Sequence, residues 1–340
     1  MKETSKKGAK PNKTPKLFYH IINKKPIIII TYGGESIGYI SELLKKNRAY
    51  IIIGFWWSRG SEKSSEKIKR DYIQYKKKYP AHELTFLCNS PIEYKLLGKF
   101  NIPRIFCNHN AFLDEKQYRI IPNIQKKYDA VYNAQMAFFK RHYLAQKIKS
   151  LALITYQHSF LLDEERKKCF NEVRRILPDA TMLNYINHPK FKNCIYTPDI
   201  LQIPENKISE HLNSAKVGLI LSEAEGACYA SCEYLLSGLP VVSTKSRGGR
   251  DVFFDKEYIK VVDDTPEAVK NGVEELIKKH TSAEYIRKKT LEKIKAHRER
   301  FIALIQKIYD KEGINKDFRK EWDKIFFNRM VSREAWPSNF

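Results

Sequence analysis

The sequence predicts an α/β protein made of two parallel-sheet domains that face each other across a cleft. Short runs of apolar, largely β-branched residues alternate with amphipathic stretches of about 10–15 residues, the pattern of strand–helix–strand crossover units. The alternation begins at Lys25 and starts afresh near Lys126–Asp129. A chain of 340 residues also exceeds the usual size of one domain, about 100–150 residues.

Each element follows from a local pattern. Residues 1–20 read as a disordered basic tail, with six Lys and two Pro among the first sixteen. In the first domain, 21–127, the runs 26–32 (PIIIITY), 50–56 (YIIIGFW), 84–88 (LTFLC) and 103–107 (PRIFC) read as strands. Helices are expected up to Leu44, over the Lys-rich 61–79 and over Pro91–Phe100, while 114–127 is helical or irregular. In the second domain, 128–312, strands are expected at 129–133, 151–156, 181–186, 216–221, 239–243 and 258–262. Helices are expected at Phe139–Lys149, Asp163–Leu177, Glu205–Ser214, Glu225–Ser237, Pro266–His280 and 283–309. A last helical stretch covers 316–330.

Composition excludes several classes. Hydrophobic residues at 42% and charged residues at 30% are globular values, not those of a mainly disordered chain. No apolar run approaches the ~20 residues of a membrane span, and the N-terminus has no apolar signal region, so a cytoplasmic protein is expected. The 62 Lys and Arg against 39 Asp and Glu leave a net charge of +23, which calls for an anionic partner: nucleic acid, an acidic lipid surface or a phosphorylated small molecule. The six Cys form no C-x-x-C. Cys228 and Cys232 share a helix face, but structural zinc needs two ligand pairs, so the reading is six reduced thiols and no metal.

The most informative segment is 216–251, KVGLILSEAEGACYASCEYLLSGLPVVSTKSRGGRD. A strand leads to Glu225 and Gly226, which are expected to open a helix whose free N–H groups and partial positive charge suit a pyrophosphate. Gly226 and Ala227 keep side chains small where backbone must approach it. Glu233 follows eight residues after Glu225, about 12 Å of helix, the span from the sugar to the ribose of a nucleotide sugar. Two carboxylates so placed can each accept hydroxyl hydrogen bonds. The competing reading is an ordinary α/β unit with two surface Glu.

Two Glu with seven residues between them, Gly after the first and Gly-Leu-Pro-Val-Val after the second resemble the retaining glycosyltransferases of family 4. That resemblance implies the GT-B fold: two Rossmann-like parallel-sheet domains facing a cleft, with a C-terminal helix, here within 313–340, crossing back onto the first domain. It implies that Glu225 contacts donor-sugar hydroxyls, that Glu233 contacts the ribose, and that Gly226 and Ala227 offer backbone amides. The family's Phe-Gly after the first Glu is replaced by Gly226-Ala227-Cys228. Gly248 and Gly249 resemble the Gly pair after the next strand. The family's phosphate-binding Arg and Lys point to Lys140, helped by Arg141, with Asn133 substituting where no Arg-x5-Lys pair stands; solvated helix-start charges are the other reading. His109, between Asn108 and Asn110, stands where many members carry a His facing the donor sugar, with a capping or core His as alternative. Gly33 and Gly34 let a loop approach the donor or the acceptor, or form a simple tight turn; they are not a G-x-G-x-x-G, which disfavours a nicotinamide dinucleotide.

The resemblance implies an enzyme that moves a sugar, with retention and without a metal, from a nucleoside-diphosphate sugar (UDP or GDP) to a glycan or lipid-linked acceptor. It implies no cofactor, and allows peripheral contact with an anionic membrane at its inner face. Two other readings stay open. One is a basic nucleic-acid or polyanion binder, against which no named nucleic-acid module appears. The other is a GT-B epimerase or a non-catalytic sugar-nucleotide binder.

Overall fold

The computed structural model describes residues 16–33, 35–156, 162–185, 190–198, 202–326 and 328–337. They form two six-stranded sheets. The first is built from β1 (Lys16–Lys24), β2 (Ile27–Tyr32), β3 (Ala49–Gly54), β4 (His82–Cys88), β5 (Arg104–Phe106) and, from the far end of the chain, β12 (Ser332–Ala335). Helices α1 (Glu35–Leu43), α2 (Glu62–Lys78) and α3 (Pro91–Gly98) connect β2 to β5. Local chemistry sets their starts: Ser61 caps α2, and Ser90 with Glu93 forms a capping box on α3, where Pro91 supplies a first residue that needs no N–H partner.

The strand order is β12-β1-β2-β3-β4-β5, with β2 to β5 parallel and β1 antiparallel to both of its neighbours. Because β2 to β5 advance in one direction and crossovers are right-handed, all three helices fall on one face. The pleat agrees. Ile29, Ile51, Ile53, Leu84 and Phe86 pack with Ile40 and Leu97 on the helical side. Ile28, Ile30, Tyr32, Ile52 and Leu87 point the other way and meet no part of α1 to α3. They are covered instead by Phe301, Ile305 and Tyr309 of α8 (Ala283–Lys311), by Phe318 and Trp322 of α9 (Phe318–Ile325), and by Phe326 and Met330.

The second sheet contains β6 (Tyr128–Asn133), β7 (Leu151–Ile154), β8 (Thr181–Met182), β9 (Ala215–Ile220), β10 (Val241–Thr244) and β11 (Ile259–Val262). It is parallel, in the order β11-β10-β9-β6-β7-β8. The order reverses between β6 and β9, so its helices divide between the faces. Helices α4 (Asp163–Ile176) and α7 (Pro266–Lys279) cover one; α5 (Glu205–Asn213), α6 (Tyr229–Leu236) and the first half of α8 cover the other.

Several expectations change. Residues 16–20 are not tail but the start of β1, where Leu17 and Tyr19 are buried; the earlier residues of the tail lie outside the described residues. The return to the first sheet begins inside α8, from Phe301, not at 313, and ends in a strand as well as a helix. Residues 139–149 form 3-10 turns, Phe138–Lys140 and His142–Ala145, separated by Arg141 in a left-handed conformation (φ 52°) that breaks an α-helix. The strand at 181–186 is only two residues long. Helix α6 begins at Tyr229, four residues after Glu225, because Cys228 at its start is left-handed (φ 58°).

The Phe318 ring, fully buried against Phe301 and Tyr309, tests how far the first sheet depends on this cover. Phe318→Ala should destabilise the protein by about 3–5 kcal/mol, read as a lowered urea midpoint with earlier loss of amide protection in β2 and β3 than in β6 and β9.

Candidate functional site

In a sheet whose strand order reverses, ligands sit in the crevice at the carboxyl ends of the strands beside the reversal. Here those ends are Asn133, which closes β6, and the segment Leu221–Glu225, which follows β9. Lys140 reaches the same place. The hydroxyl of Tyr132 donates to the Lys140 carbonyl and fixes its turn, and the Lys140 ammonium forms a buried ion pair with Glu225 Oε1. Ser222 Oγ donates to that oxygen at 2.6 Å. Burial alone would push the Lys140 ammonium down, but the Glu225 carboxylate outweighs it, so the ammonium stays charged above the ordinary lysine range.

The second carboxylate is 2% exposed. Asn133 Nδ2 donates to Glu233 Oε2 at 2.9 Å, and Asn133 N–H donates to the Tyr234 hydroxyl at 2.6 Å. Arg329, from the segment between α9 and β12, brings Nη2 to 4.0 Å from Glu233 Oε1 and to 3.0 Å from Glu205. Its guanidinium lies 5.1 Å from the centroid of the Tyr229 ring. Burial pushes the Glu233 carboxyl above the usual range, and the charge of Arg329 opposes this.

The first sheet supplies the facing wall. Asn108 Nδ2 donates to Asn89 O at 2.8 Å and to Gly249 O at 2.7 Å; Asn110 Nδ2 donates to Ala227 O at 2.8 Å and to Cys228 O at 3.1 Å. Between them His109 is buried, its N–H donating to Asn89 Oδ1, its ring 4.7 Å from that of Tyr229 and its Nδ1 3.4 Å from the Tyr32 hydroxyl. Burial, with the nearby charge of Arg329, holds this imidazole down to about 3, so it is neutral and acts as a hydrogen-bonding group, not as a cation. The backbones touch so closely that a side chain on Gly226 would collide with Trp56 O, and one on Gly249 with Asn89 O. Gly248 adopts φ 123° with its Cα against Glu225 O, a place only glycine fills without strain.

The structure thus brings together Lys140 with Glu225, Asn133 with Glu233, and His109 with the Gly226–Ala227 and Gly248–Gly249 loops. It turns Arg141 away: Nε donates to Leu221 O, Nη1 to Asp264 and Nη2 to Thr244 Oγ1, so the guanidinium braces the ends of β9 and β10. Glu225 and Gly226 stand in the loop before α6 and do not open it. Gly33 is exposed and donates its N–H to Gly54 O, extending the pairing of β2 with β3; Gly34 lies outside the described residues.

Sequence reasoning missed Tyr32, Trp56, Asn89, Tyr229, Arg250 and Arg329. Arg250 is fully buried and donates to Ser222 O at 2.7 Å and to Thr244 O, which ties the Gly248–Gly249 loop to the ends of β9 and β10. Its signal was its place after the Gly pair. Trp56 and Asn89 each stand just past a strand's carboxyl end; sequence reasoning keeps Trp56 inside its strand and, in the first half, singles out only Gly33, Gly34 and His109 at such ends. No spacing rule reaches Arg329, which arrives from 96 positions beyond Glu233.

Comparison with known proteins fits this geometry. Residues 199–293 match the family model described as Glycosyl transferases group 1. No curated protein matches the chain. Among solved structures the chain is similar to sucrose-phosphate synthase (tll1590) of Thermosynechococcus elongatus, 15% identical, covering 84% of this chain and 73% of that one at a TM-score of 0.60. It is similar to Anabaena HepE in complex with UDP and glucose, 12% identical, covering 82% of this chain and 77% of that one at 0.58. A variant of S. aureus TarM, in complex with fondaparinux, alpha-GlcNAc-glycerol and UDP, is 14% identical at 0.53; the overlap is 81% of this chain and 55% of TarM. These likenesses establish the fold as GT-B. No helix among the described residues is long and apolar enough to cross a membrane.

The buried histidines set an acid limit. Burial lowers His109 and His142 to about 3 and His297 to about 4. Each is neutral in the folded chain where an unfolded imidazole, near 6.5, takes a proton. Their stabilising effect is therefore complete above about pH 6.5 and is lost as pH falls towards 4, by roughly 1.4 kcal/mol per pH unit for each imidazole. His142→Leu should flatten the fall in urea stability between pH 6.5 and 4.5 by roughly 1.4 kcal/mol per pH unit relative to the parent; parallel curves would show that His142 titrates alike in the folded and unfolded chain.

Proposed function

We propose that the chain is a retaining, metal-independent glycosyltransferase that moves a sugar from a nucleoside-diphosphate sugar to a glycan or lipid-linked acceptor. The observation that supports this best is the pairing of Lys140 with Glu225 and of Asn133 with Glu233 at the two strand ends beside the reversal in the second sheet. Without ligand, the cation and the first carboxylate satisfy each other. With a donor bound, the diphosphate takes the Lys140 ammonium, a sugar hydroxyl donates to Glu225, and ribose hydroxyls donate to Glu233. UDP and GDP are the proposed nucleotides.

The bond between the sugar C1 and the diphosphate oxygen breaks as the acceptor oxygen bonds C1 on the same face. The acceptor's proton passes to the departing diphosphate. Lys140 stabilises the charge that develops there, a preorganised cation in a site with little water. Neutral His109 lends a hydrogen bond to the sugar from the opposite wall. HepE and TarM were each solved with UDP, which agrees with this reading of the donor. The acceptor lies on the side of the first sheet, where lipid-linked acceptors would place the protein, with its net charge of +23, beside an anionic membrane.

Thermal shifts with UDP, GDP, ADP and CDP and their common sugar conjugates test the donor site. At a hundredfold excess over Kd the matching nucleotide should stabilise the chain by about 2.7 kcal/mol, and Glu233→Gln should reduce that shift. No shift with any of them would refute the proposal and favour the polyanion-binding reading. For the transferring enzyme, Lys140→Met should lower kcat roughly 10²–10³-fold, the effect of removing one preorganised donor, with a smaller change in acceptor KM.

A further inference from the structure

Arg329 is a half-buried cation, its side chain 37% exposed, that the proposed reaction does not use. The backbone that delivers it is left-handed, with φ 67° on a non-glycine residue, a conformation that persists where the surroundings enforce it and that gathers at functional sites. The enforcing contacts come from both halves. Arg329 N–H donates to Phe112 O at 3.1 Å, and Met330 is fully buried beneath the first sheet. Asn328 Nδ2 donates to Glu205 at 2.7 Å, at the start of α5 in the second half. The Arg329 Nε is buried without a hydrogen-bond partner among the described residues. The guanidinium stands between two carboxylates, 3.0 Å from Glu205 and 4.0 Å from Glu233.

The geometry around Glu233 is uneven. Oε2 is fixed by Asn133 at 2.9 Å, whereas Arg329 stands 4.0 Å from Oε1. That separation lends Coulomb attraction without a hydrogen bond. Two ribose hydroxyls, both donating, need an ionised carboxylate, since a protonated one has given up part of its acceptor capacity. A carboxylate this deeply buried stays ionised only with a cation near it. Tyr118, Tyr156, Tyr229, Tyr234, Cys232, the Asn133 amide and the Glu205 carboxylate also face Glu233. The phenols, the thiol and the amide are neutral at pH 7, and Glu205 opposes ionisation, so Arg329 is the one cation among the groups named.

We propose that Arg329 is the positioning residue of the nucleoside side: from the C-terminal segment, it keeps Glu233 charged and aimed for the ribose hydroxyls. This rests on the reading of Glu233 as the ribose contact. It also makes donor binding depend on the docking of the segment that covers the first sheet, so that nucleotide is held only when the two halves are strapped together.

The test is calorimetric titration of the full-length chain with UDP and with 2′-deoxy-UDP (GDP and its 2′-deoxy form if the thermal panel selects guanine) from pH 5.5 to 9. Arg329→Gln should weaken binding of the ribonucleotide more than tenfold at pH 7. The deficit should shrink as pH rises, because Glu233, without its cation, ionises only at higher pH. The preference for the ribo over the 2′-deoxy form should fall with it, and Arg329→Lys should restore both. A deficit equal at every pH and unrelieved by Lys would show a merely structural strap, and tighter binding by Arg329→Gln would show a plug; either overturns the proposal. If the parent binds no nucleotide, the reading of Glu233 fails first, and that result is distinct because parent and variants then give the same blank titration.

Discussion

The exposed apolar face of the first sheet constrains everything else. Four strands laid side by side in chain order, each joined by a right-handed crossover, put α1, α2 and α3 on one side. The other side carries Ile28, Ile30, Ile52 and Leu87, all buried, and among the described residues their cover comes from α8, α9, Phe326 and Met330. At about 1.5–3 kcal/mol for each such side chain left in water, that half could not stand alone as folded. The chain resolves this by returning: α8 starts on the second sheet, with Ile286 and Ile294, and finishes on the first, with Phe301, Ile305 and Tyr309. One helix of 29 residues thereby belongs to both hydrophobic cores and fixes how the two halves face each other.

Within the cleft so formed, charge is handled by pairing. A lone buried ammonium or carboxylate is prohibitive, whereas a well-placed pair recovers much of the desolvation. Lys140 and Glu225 are nine-tenths buried and in contact, with Ser222 on the same oxygen. Glu233 is tempered by Asn133 and Arg329. Under the proposed function these are the groups a nucleotide sugar would engage, an anion for the ammonium and hydroxyls for the carboxylates. A donor would then exchange one set of partners for another instead of stripping water from bare ions.

How much was legible in the sequence follows from whether the cause is local. The strand PIIIITY, the helices at 61–79 and Pro91–Phe100, and the pair Glu225 and Glu233 are set by neighbours in sequence, and the structure places them as strand, helices and buried carboxylates. Strands β1 and β12 were not legible. β1 looks like an extension of a basic tail although it pairs with β2 as well, and β12, SREA, has little apolar pattern; β12 is a strand because it pairs with β1, more than 300 residues away. The start of α6 was misplaced because Glu225 and Gly226 make a sound helix start by residue type. What shifts it is the left-handed turn at Cys228, held against Asn110 from the other half. Lys140 could be read as a site cation by order alone, but Arg141 beside it could not be excluded without seeing Asp264 and Thr244 take its donors.

The same two-sided packing bears on how the cleft opens. Bonds across it run from Asn108 to Gly249, from Asn110 to Ala227 and Cys228, and between the hydroxyls of Tyr32 and Tyr229, each worth about 0.5–1.5 kcal/mol net. Such bonds break readily as a ligand enters. The packing of α8 does not, since Ile294 on one side and Phe301 on the other lie within two turns of a continuous helix. A wide swing would have to break that helix or lift one of its ends from a core. His297, in the turn between them, accepts the Asn108 N–H at Nδ1 and so ties the middle of α8 to the cleft loop itself. The continuous helix and its His297 tie therefore hold the Asn108–Asn110 loop against the second half. Gly226 and Gly249 meet the backbone of that facing wall with no side chain between them.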